Sequence, residues 1–160
     1  MPQDNSKIVP PISLAKKIKT LKKQGKTIIF TNGCFDLLHV GHVRILKKAK
    51  KIGNILIVAL NTDSSVRKIK GKDRPIVPLR ERMEILSALE DIDYVTYFTE
   101  ETPEKIIEIL GPDILVKGGD YKISEIVGAK YLERQGGKVV IIPFSKGKSS
   151  TGILKKIKTI

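Results

Sequence analysis

One cysteine, Cys34, two histidines and no tryptophan stand in a chain of 160 residues. A single cysteine rules out an internal disulfide framework and is compatible with a reducing cytoplasm. One cysteine and two histidines also fall short of a zinc site built by the protein. No apolar run approaches the roughly 20 residues that span a bilayer, and the polar start is no signal peptide, so a cytoplasmic protein without membrane contact is expected. Aromatic residues make up 5% of the chain, and there is no basic strand studded with aromatics and no reading helix of the kind that binds nucleic acid. The formal net charge of +13 then points to small anionic substrates or to a lysine-rich surface, not to nucleic acid. The lysines are spread along the chain and read mostly as solvated helix faces. G-x-G-x-x-G is absent, which argues against a dinucleotide cofactor. Gly147-Lys148-Ser149 resembles the end of a P-loop, but Ile142 stands where the first glycine belongs, and the segment follows the last strand instead of the first.

Isoleucine, leucine and valine are abundant and fall in short continuous runs, as in strands buried on both faces of a parallel sheet. The runs at Thr27–Phe30, Asn54–Leu60, Asp93–Phe98, Ile114–Val116 and Val139–Pro143 predict five strands. Helical spacing predicts helices over Leu14–Lys23, capped by Ser13, and from about Gly41 to a C-cap at Gly53. Further helices are expected over Pro78–Glu90, Thr102–Leu110, Ser124–Arg134 and from Ser149-Ser150-Thr151 to Ile157. Val66 to Pro78 reads as a long, basic, irregular loop. Residues 1–160 are expected to form one domain, with 1–11 a loose N-terminal arm. Strands alternate with helices throughout, which implies an α/β fold: a Rossmann-like, doubly wound parallel sheet of about five strands. Ligands of such sheets bind beyond the carboxyl ends of the strands. The segments after the strands are polar and glycine-rich, and they converge on that edge.

The two histidines both fall in the first of those segments, Phe30-Thr-Asn-Gly-Cys-Phe-Asp-Leu-Leu-His39-Val-Gly-His42. The loop opens a helix, whose first N–H groups and positive dipole end suit an anion. His39 and His42 are one helical turn apart, so their rings can point the same way and stabilise charge on a phosphate and its leaving group. Gly41, between them, would let a ligand approach the backbone. Lys70 and Lys72 flank Gly71 as cations able to close over a triphosphate. Arg82 sits near a helix start, where a cation is disfavoured, and suggests an anionic partner, with Glu81 or Glu84 as the plainer one. Gly118-Gly119 either admits a flat base or makes a turn. Asp36 and Asp120 would serve a metal-bridged phosphate or a sugar hydroxyl, or simply a turn. Ser149, Ser150 and Thr151 read as a helix cap that can also hold phosphate.

From about Thr27 to Ile157 the chain resembles the small nucleotidyltransferases with an H-x-G-H signature, among them cytidylyltransferases for glycerol 3-phosphate and ethanolamine phosphate and the adenylyltransferase for pantetheine phosphate. The likeness rests on the His39-Val-Gly-His42 loop, the Lys70-Gly-Lys72 pair, Glu81-Arg82-Met-Glu-Ile-Leu86 and the Ser149-Ser-Thr151 helix start. Lys70-Gly with Arg74-Pro75 and Leu115-Val-Lys-Gly-Gly-Asp-Tyr121 are similar to the branch that makes ADP-heptose from heptose 1-phosphate. These 160 residues hold no counterpart of the sugar kinase domain found in its bifunctional members. Phe144 stands where the glycerol-3-phosphate enzymes carry an arginine, which disfavours cytosine.

The resemblance implies an adenylyltransferase that moves AMP from ATP to a sugar 1-phosphate, for lipopolysaccharide or surface-glycan precursors, with Mg²⁺ bound through the triphosphate. It implies catalytic roles for His39, His42 and Lys72. Nucleotide contacts would come from Cys34, Phe35, Gly41, Arg82, Lys117, Gly118, Gly119, Ser149, Ser150 and Thr151, and acceptor contacts from Asp36, Lys70 and Asp120. Partners would be small molecules only, with a homodimer the usual assembly. The alternatives are a cytidylyltransferase for a polyol phosphate, and a nucleotide- or nucleic-acid-binding module without catalysis.

Overall fold

The computed structural model of the chain describes residues 6–144 and 146–160. Five strands, β1 (Ile28–Gly33), β2 (Ile55–Asn61), β3 (Tyr94–Phe98), β4 (Ile114–Gly118) and β5 (Lys138–Ile142), form one sheet in the order β3-β2-β1-β4-β5. All neighbours run parallel. The order reverses at β1, so the chain winds outward on both sides of it and leaves a crevice at the carboxyl ends of β1 and β4.

The helices are α1 (Pro11–Lys23), α2 (Val40–Lys50), α3 (Asp63–Lys70), α4 (Leu79–Ser87), α5 (Glu104–Leu110), α6 (Ala129–Arg134) and α7 (Ser150–Lys158). Side chains alternate across the sheet with period two and divide the core between them. Ile28, Phe30, Ile57 and Ala59 pack with α1, α5 and α6, while Ile29, Leu56, Val58 and Leu60 pack with α2 and α4. Both faces are covered, which is why these strands read as continuous apolar runs.

Beyond α2 and α4 ending earlier than expected, at C-caps Lys51 and Ala88, the structure departs from the sequence expectations in four places. Residues 1–5 of the expected loose arm lie outside the described residues, but the rest of the arm is held. Ile8 bridges Val95 of β3, and Val9 is buried. Ser13 is not a cap: α1 starts at Pro11, whose missing N–H costs nothing in a first turn. The helix expected over Ser124–Arg134 is a short 3-10 turn, Ile123–Glu125, followed by α6, because Gly128 between them takes φ +88°. The expected loop from Val66 begins instead with α3, leaving 71–78 irregular. Only Ser65 and Val66 of α3 are buried, so no apolar stripe announced the helix. Its charges suit the dipole, with Asp63 in the first turn and Arg67, Lys68 and Lys70 in the last.

One buried group goes without a partner. Thr96 on β3 is fully buried, and its hydroxyl makes no hydrogen bond among the described residues. Valine has nearly the same shape without the polar atom. Thr96→Val should therefore raise unfolding free energy by about 1 kcal/mol, as read by chemical denaturation. An unchanged or lower midpoint would mean that the hydroxyl is satisfied.

Candidate active site

β1 delivers the chain into residues 34–39, and α2 begins on His39 as its N-cap. The capping is reciprocal. His39 Nδ1 accepts from the Gly41 backbone N–H at 3.1 Å, and the His39 backbone N–H donates to His42 Nδ1 at 3.3 Å. The His42 and Val43 N–H groups donate to the His39 carbonyl. The amides expected to meet an anion are thus largely consumed by the cap. What remains for a ligand is the far side of each ring. With Nδ1 accepting, the proton of a neutral imidazole lies on Nε2 in both residues.

The rings stack with centroids 3.9 Å apart and planes 30° apart, and Phe35 lies 5.1 Å from His42. Burial, then the neighbouring His39, pushes the His42 pKa down to about 4. Burial and the Lys148 ammonium lower that of His39 as well. His42 is therefore a neutral donor at neutral pH. Gly41 is glycine because of its own neighbours. A Cβ there would stand 2.8 Å from His39 Cε1 and 3.3 Å from Lys148 Cβ. The open approach expected at Gly41 is filled by protein.

Two residues expected to touch ligands hold the loop instead. Arg82 is fully buried. Its guanidinium donates to the carbonyls of Val77, Cys34 and Asn61 and pairs with Asp63 at 2.6 Å. The anionic partner inferred for it is thus Asp63, not a nucleotide and not Glu81 or Glu84, because the helix start faces the core. Asp36 accepts from Arg74 Nε at 2.5 Å and from the Ile76 and Val77 amides. Burial by itself would raise its pKa, but these donors outweigh it and hold the carboxylate below its ordinary range. Asp36 reaches the cavity wall, but its oxygens are engaged in tying 74–77 to the histidine loop, so the sugar hydroxyl assigned to it has no free acceptor.

The crevice between these elements is a cavity of about 510 Å³, within the range of small-molecule sites. Of the expected residues, Cys34, Phe35, Asp36, His42, Lys70, Lys117, Gly118 and Ser150 line it. Lys117 donates to Asn32 Oδ1 at 2.9 Å, and burial lowers its pKa. A confined ammonium with one acceptor among the described residues has donors to spare for an anion. Ser150 donates to the Leu37 carbonyl at 3.1 Å, and Ser149 caps α7 by accepting from the Gly152 amide.

Several expected residues stay off the lining. Lys72 is exposed beyond Gly71, whose φ of +101° ends α3, so it is Lys70 that reaches the cavity. Asp120 and Thr151 are exposed. Gly118 and Gly119 are closely approached by side chains, with Cβ positions 2.5 Å from Ile45 Cδ1 and 2.9 Å from Phe144 Cε2, and Gly119 takes φ +127°, which favours glycine. His39 is also off the lining, its ring stacked on that of His42.

The lining also includes Ile69, Tyr121, Val127, Phe144 and the segment Glu101-Thr102-Pro103, which the sequence reading did not assign. Glu101–Pro103 follows β3 and was legible only as a helix start. Its place after a parallel strand, at the edge where such sheets bind ligands, was the available signal. Among the described residues no cluster of three or more His, Cys, Asp or Glu could hold a metal ion, and no helix is long and apolar enough to cross a membrane.

Comparison with known proteins adds a family and a set of relatives. The model of the cytidylyltransferase-like family matches residues 30–156. The bifunctional protein HldE of Citrifermentans bemidjiense is 54% identical over 153 residues, or 96% of this chain and 31% of that protein. The protein of the same name from Geotalea uraniireducens is 49% identical over 158 residues, or 99% of this chain and 32% of that protein. The chain thus spans about a third of the length of these curated relatives. Among solved structures, the lipopolysaccharide core biosynthesis protein of Thermoplasma volcanium is 32% identical with a TM-score of 0.64, over 78% of this chain and all of that one. The pantoate-beta-alanine ligase of Francisella tularensis, 20% identical with a TM-score of 0.63 over 96% of this chain and 78% of that one, shares the fold.

Proposed function

The chain belongs to the cytidylyltransferase-like family, and from that premise we propose that it is an adenylyltransferase joining AMP from ATP to heptose 1-phosphate, with release of pyrophosphate. The observation that carries the reading is the stacked His39–His42 pair, fixed with Nε2 as its donor atom, at a cavity that also receives Lys117 and Ser150. This arrangement suits nucleotidyl transfer. The acceptor's phosphate oxygen is already an anion and attacks the α-phosphorus in line. A new P–O bond forms, the α–β bridging bond breaks, and its electron pair leaves on pyrophosphate. No protein nucleophile or general base is required, so catalysis consists of positioning and charge stabilisation.

In this reading the imidazole N–H of His42 and the Lys117 ammonium stabilise charge on the α-phosphoryl oxygens. Ser150 and the start of α7 hold the leaving phosphates. Phe144 and Tyr121, packed over Gly118-Gly119, offer an apolar platform for the adenine. Lys70 faces the acceptor phosphate. Mg²⁺ enters with the triphosphate as part of the substrate.

The reading of the acceptor as heptose 1-phosphate is supported by the likeness to the HldE proteins, of which this chain covers about a third. Pyrophosphate release should be fast with ATP plus heptose 1-phosphate, and slow with CTP or with glycerol 3-phosphate. The reverse preference, CTP with a polyol phosphate, would replace the proposal with a cytidylyltransferase. Silence with every pair would leave a binding module.

A further inference from the structure

We propose that Glu101 recognises the acceptor, taking hydrogen bonds from the hydroxyls of the sugar phosphate. This inference rests on the adenylyltransferase reading and extends it to a residue outside the histidine, lysine and serine segments.

The cavity lining among the described residues carries two carboxylates, Asp36 and Glu101. The oxygens of Asp36 are engaged by Arg74, Ile76 and Val77. Glu101 is exposed at the cavity wall and has no hydrogen bond or ion pair among the described residues, so its acceptors face water that a ligand hydroxyl can replace. Its neighbour Glu100 has the opposite fate, turning to an ion pair with Lys105 at 3.0 Å.

The backbone between them is fixed from below. Asn61 at the end of β2 donates to Ser65 on α3 at 2.9 Å, and Ser65 donates to the Glu100 carbonyl at 2.7 Å. Thr62 N–H donates to the Phe98 carbonyl. This chain of bonds, buried at Asn61 and Ser65, carries the segment after β3 to the cavity, next to the wall that presents Ile69 and Lys70.

A free carboxylate is out of place in a site for two phosphate-bearing substrates unless it meets their neutral, hydroxylated part. Carboxylates accept from paired hydroxyls, and a site built to hydrogen-bond a hydroxyl discriminates strongly against a substrate without it. Lys70 for the phosphate and Glu101 for the ring hydroxyls together would select a sugar 1-phosphate over a simpler phosphomonoester.

The test measures the full chain as wild type, Glu101→Gln and Glu101→Ala. Steady-state KM is determined for ATP and for heptose 1-phosphate, and the Kd for heptose 1-phosphate is measured by calorimetry without turnover. Both variants keep the protein backbone that Ser65 holds. Glu101→Ala should raise the KM and Kd for the sugar phosphate by about 10- to 100-fold, the loss expected for charge-assisted hydrogen bonds. Glu101→Gln, which keeps one acceptor oxygen, should fall between. The KM for ATP and the Mg²⁺ concentration giving half-maximal rate should not move, and the preference for the sugar phosphate over glycerol 3-phosphate should narrow. An unchanged Kd, an equal rise in the KM for ATP, or a shift in Mg²⁺ demand overturns the assignment. Wild-type protein that binds the sugar phosphate without releasing pyrophosphate refutes the adenylyltransferase reading while the Kd values still judge Glu101. Wild-type protein that binds no sugar phosphate overturns both.

Discussion

His42→Ala should lower turnover by about two to three orders of magnitude, the usual cost of removing one positioned donor from a charge-stabilising site. His39→Ala should do the same through the stacked pair, with the added loss of an N-cap worth about 1 kcal/mol of stability. In both variants the far-ultraviolet circular dichroism should be that of the folded protein, because neither ring belongs to the two core layers. The loss should fall on kcat more than on the KM for ATP, since the donor matters most where charge develops. Turnover at the wild-type rate would remove the histidines from the chemistry and reduce them to a helix cap.

The same pair has a pH signature whose sign follows from its environment. The ordinary histidine pKa is 6.5, and that of folded His42 is pushed down to about 4. Between those values the unfolded chain carries a proton that the folded one refuses. The unfolded state therefore gains as pH falls through this window, and His42 contributes stability that is present above about pH 6.5 and lost by about pH 4. Protonation would also place an Nδ1 proton against the His39 backbone N–H. The contribution of His42 to turnover should consequently be level across neutral pH and fail only on strong acidification. A rate that rose as pH dropped from 7 to 6 would mean the working form is the cation.

Arg82→Met should destabilise the protein by about 3 kcal/mol or more. The change removes the guanidinium's hydrogen bonds to the Val77, Cys34 and Asn61 carbonyls and its ion pair with Asp63, whose oxygen keeps only the Leu79 N–H, and a broken buried pair costs more than the pair was worth. For a chain of this size the midpoint of thermal unfolding should fall by roughly 6 to 12 °C. Asp63 keeps 33% of its side chain exposed, so water recovers part of the loss on that side. If Arg82 were instead a ligand for the triphosphate, the variant would melt like the wild type and show only a raised KM for ATP. The melting curve separates the two roles without any substrate.

Arg82 and Asp36 show where reading the chain alone went astray. Both are charged residues beside the histidine loop, and in sequence that is how a ligand residue looks. Their partners lie far along the chain: Cys34 and Asn61 for Arg82, Arg74 and Val77 for Asp36. No local pattern encodes such pairings, because they exist only once α4 and the 74–77 segment fold back onto the histidine loop. The same holds for Glu100 and Glu101. They are adjacent and chemically identical, yet Glu100 pairs with Lys105 while Glu101 lies at the cavity, on a segment whose Glu100 carbonyl is held by Ser65 from α3.

By itself, the sequence determined the parallel α/β sheet and the edge at which the cavity lies. Strand-length apolar runs alternating with helical periods are local signals, and the right-handed crossover rule converts them into a topology. It also determined that the two histidines stand together at a helix start, three residues apart, the spacing at which an N-cap and the third helical residue can bond each other's backbone. Only the tertiary structure decided which charges are free. A side chain's availability to a ligand depends on what other segments do with it, and that is a property of the packed chain, not of any stretch within it.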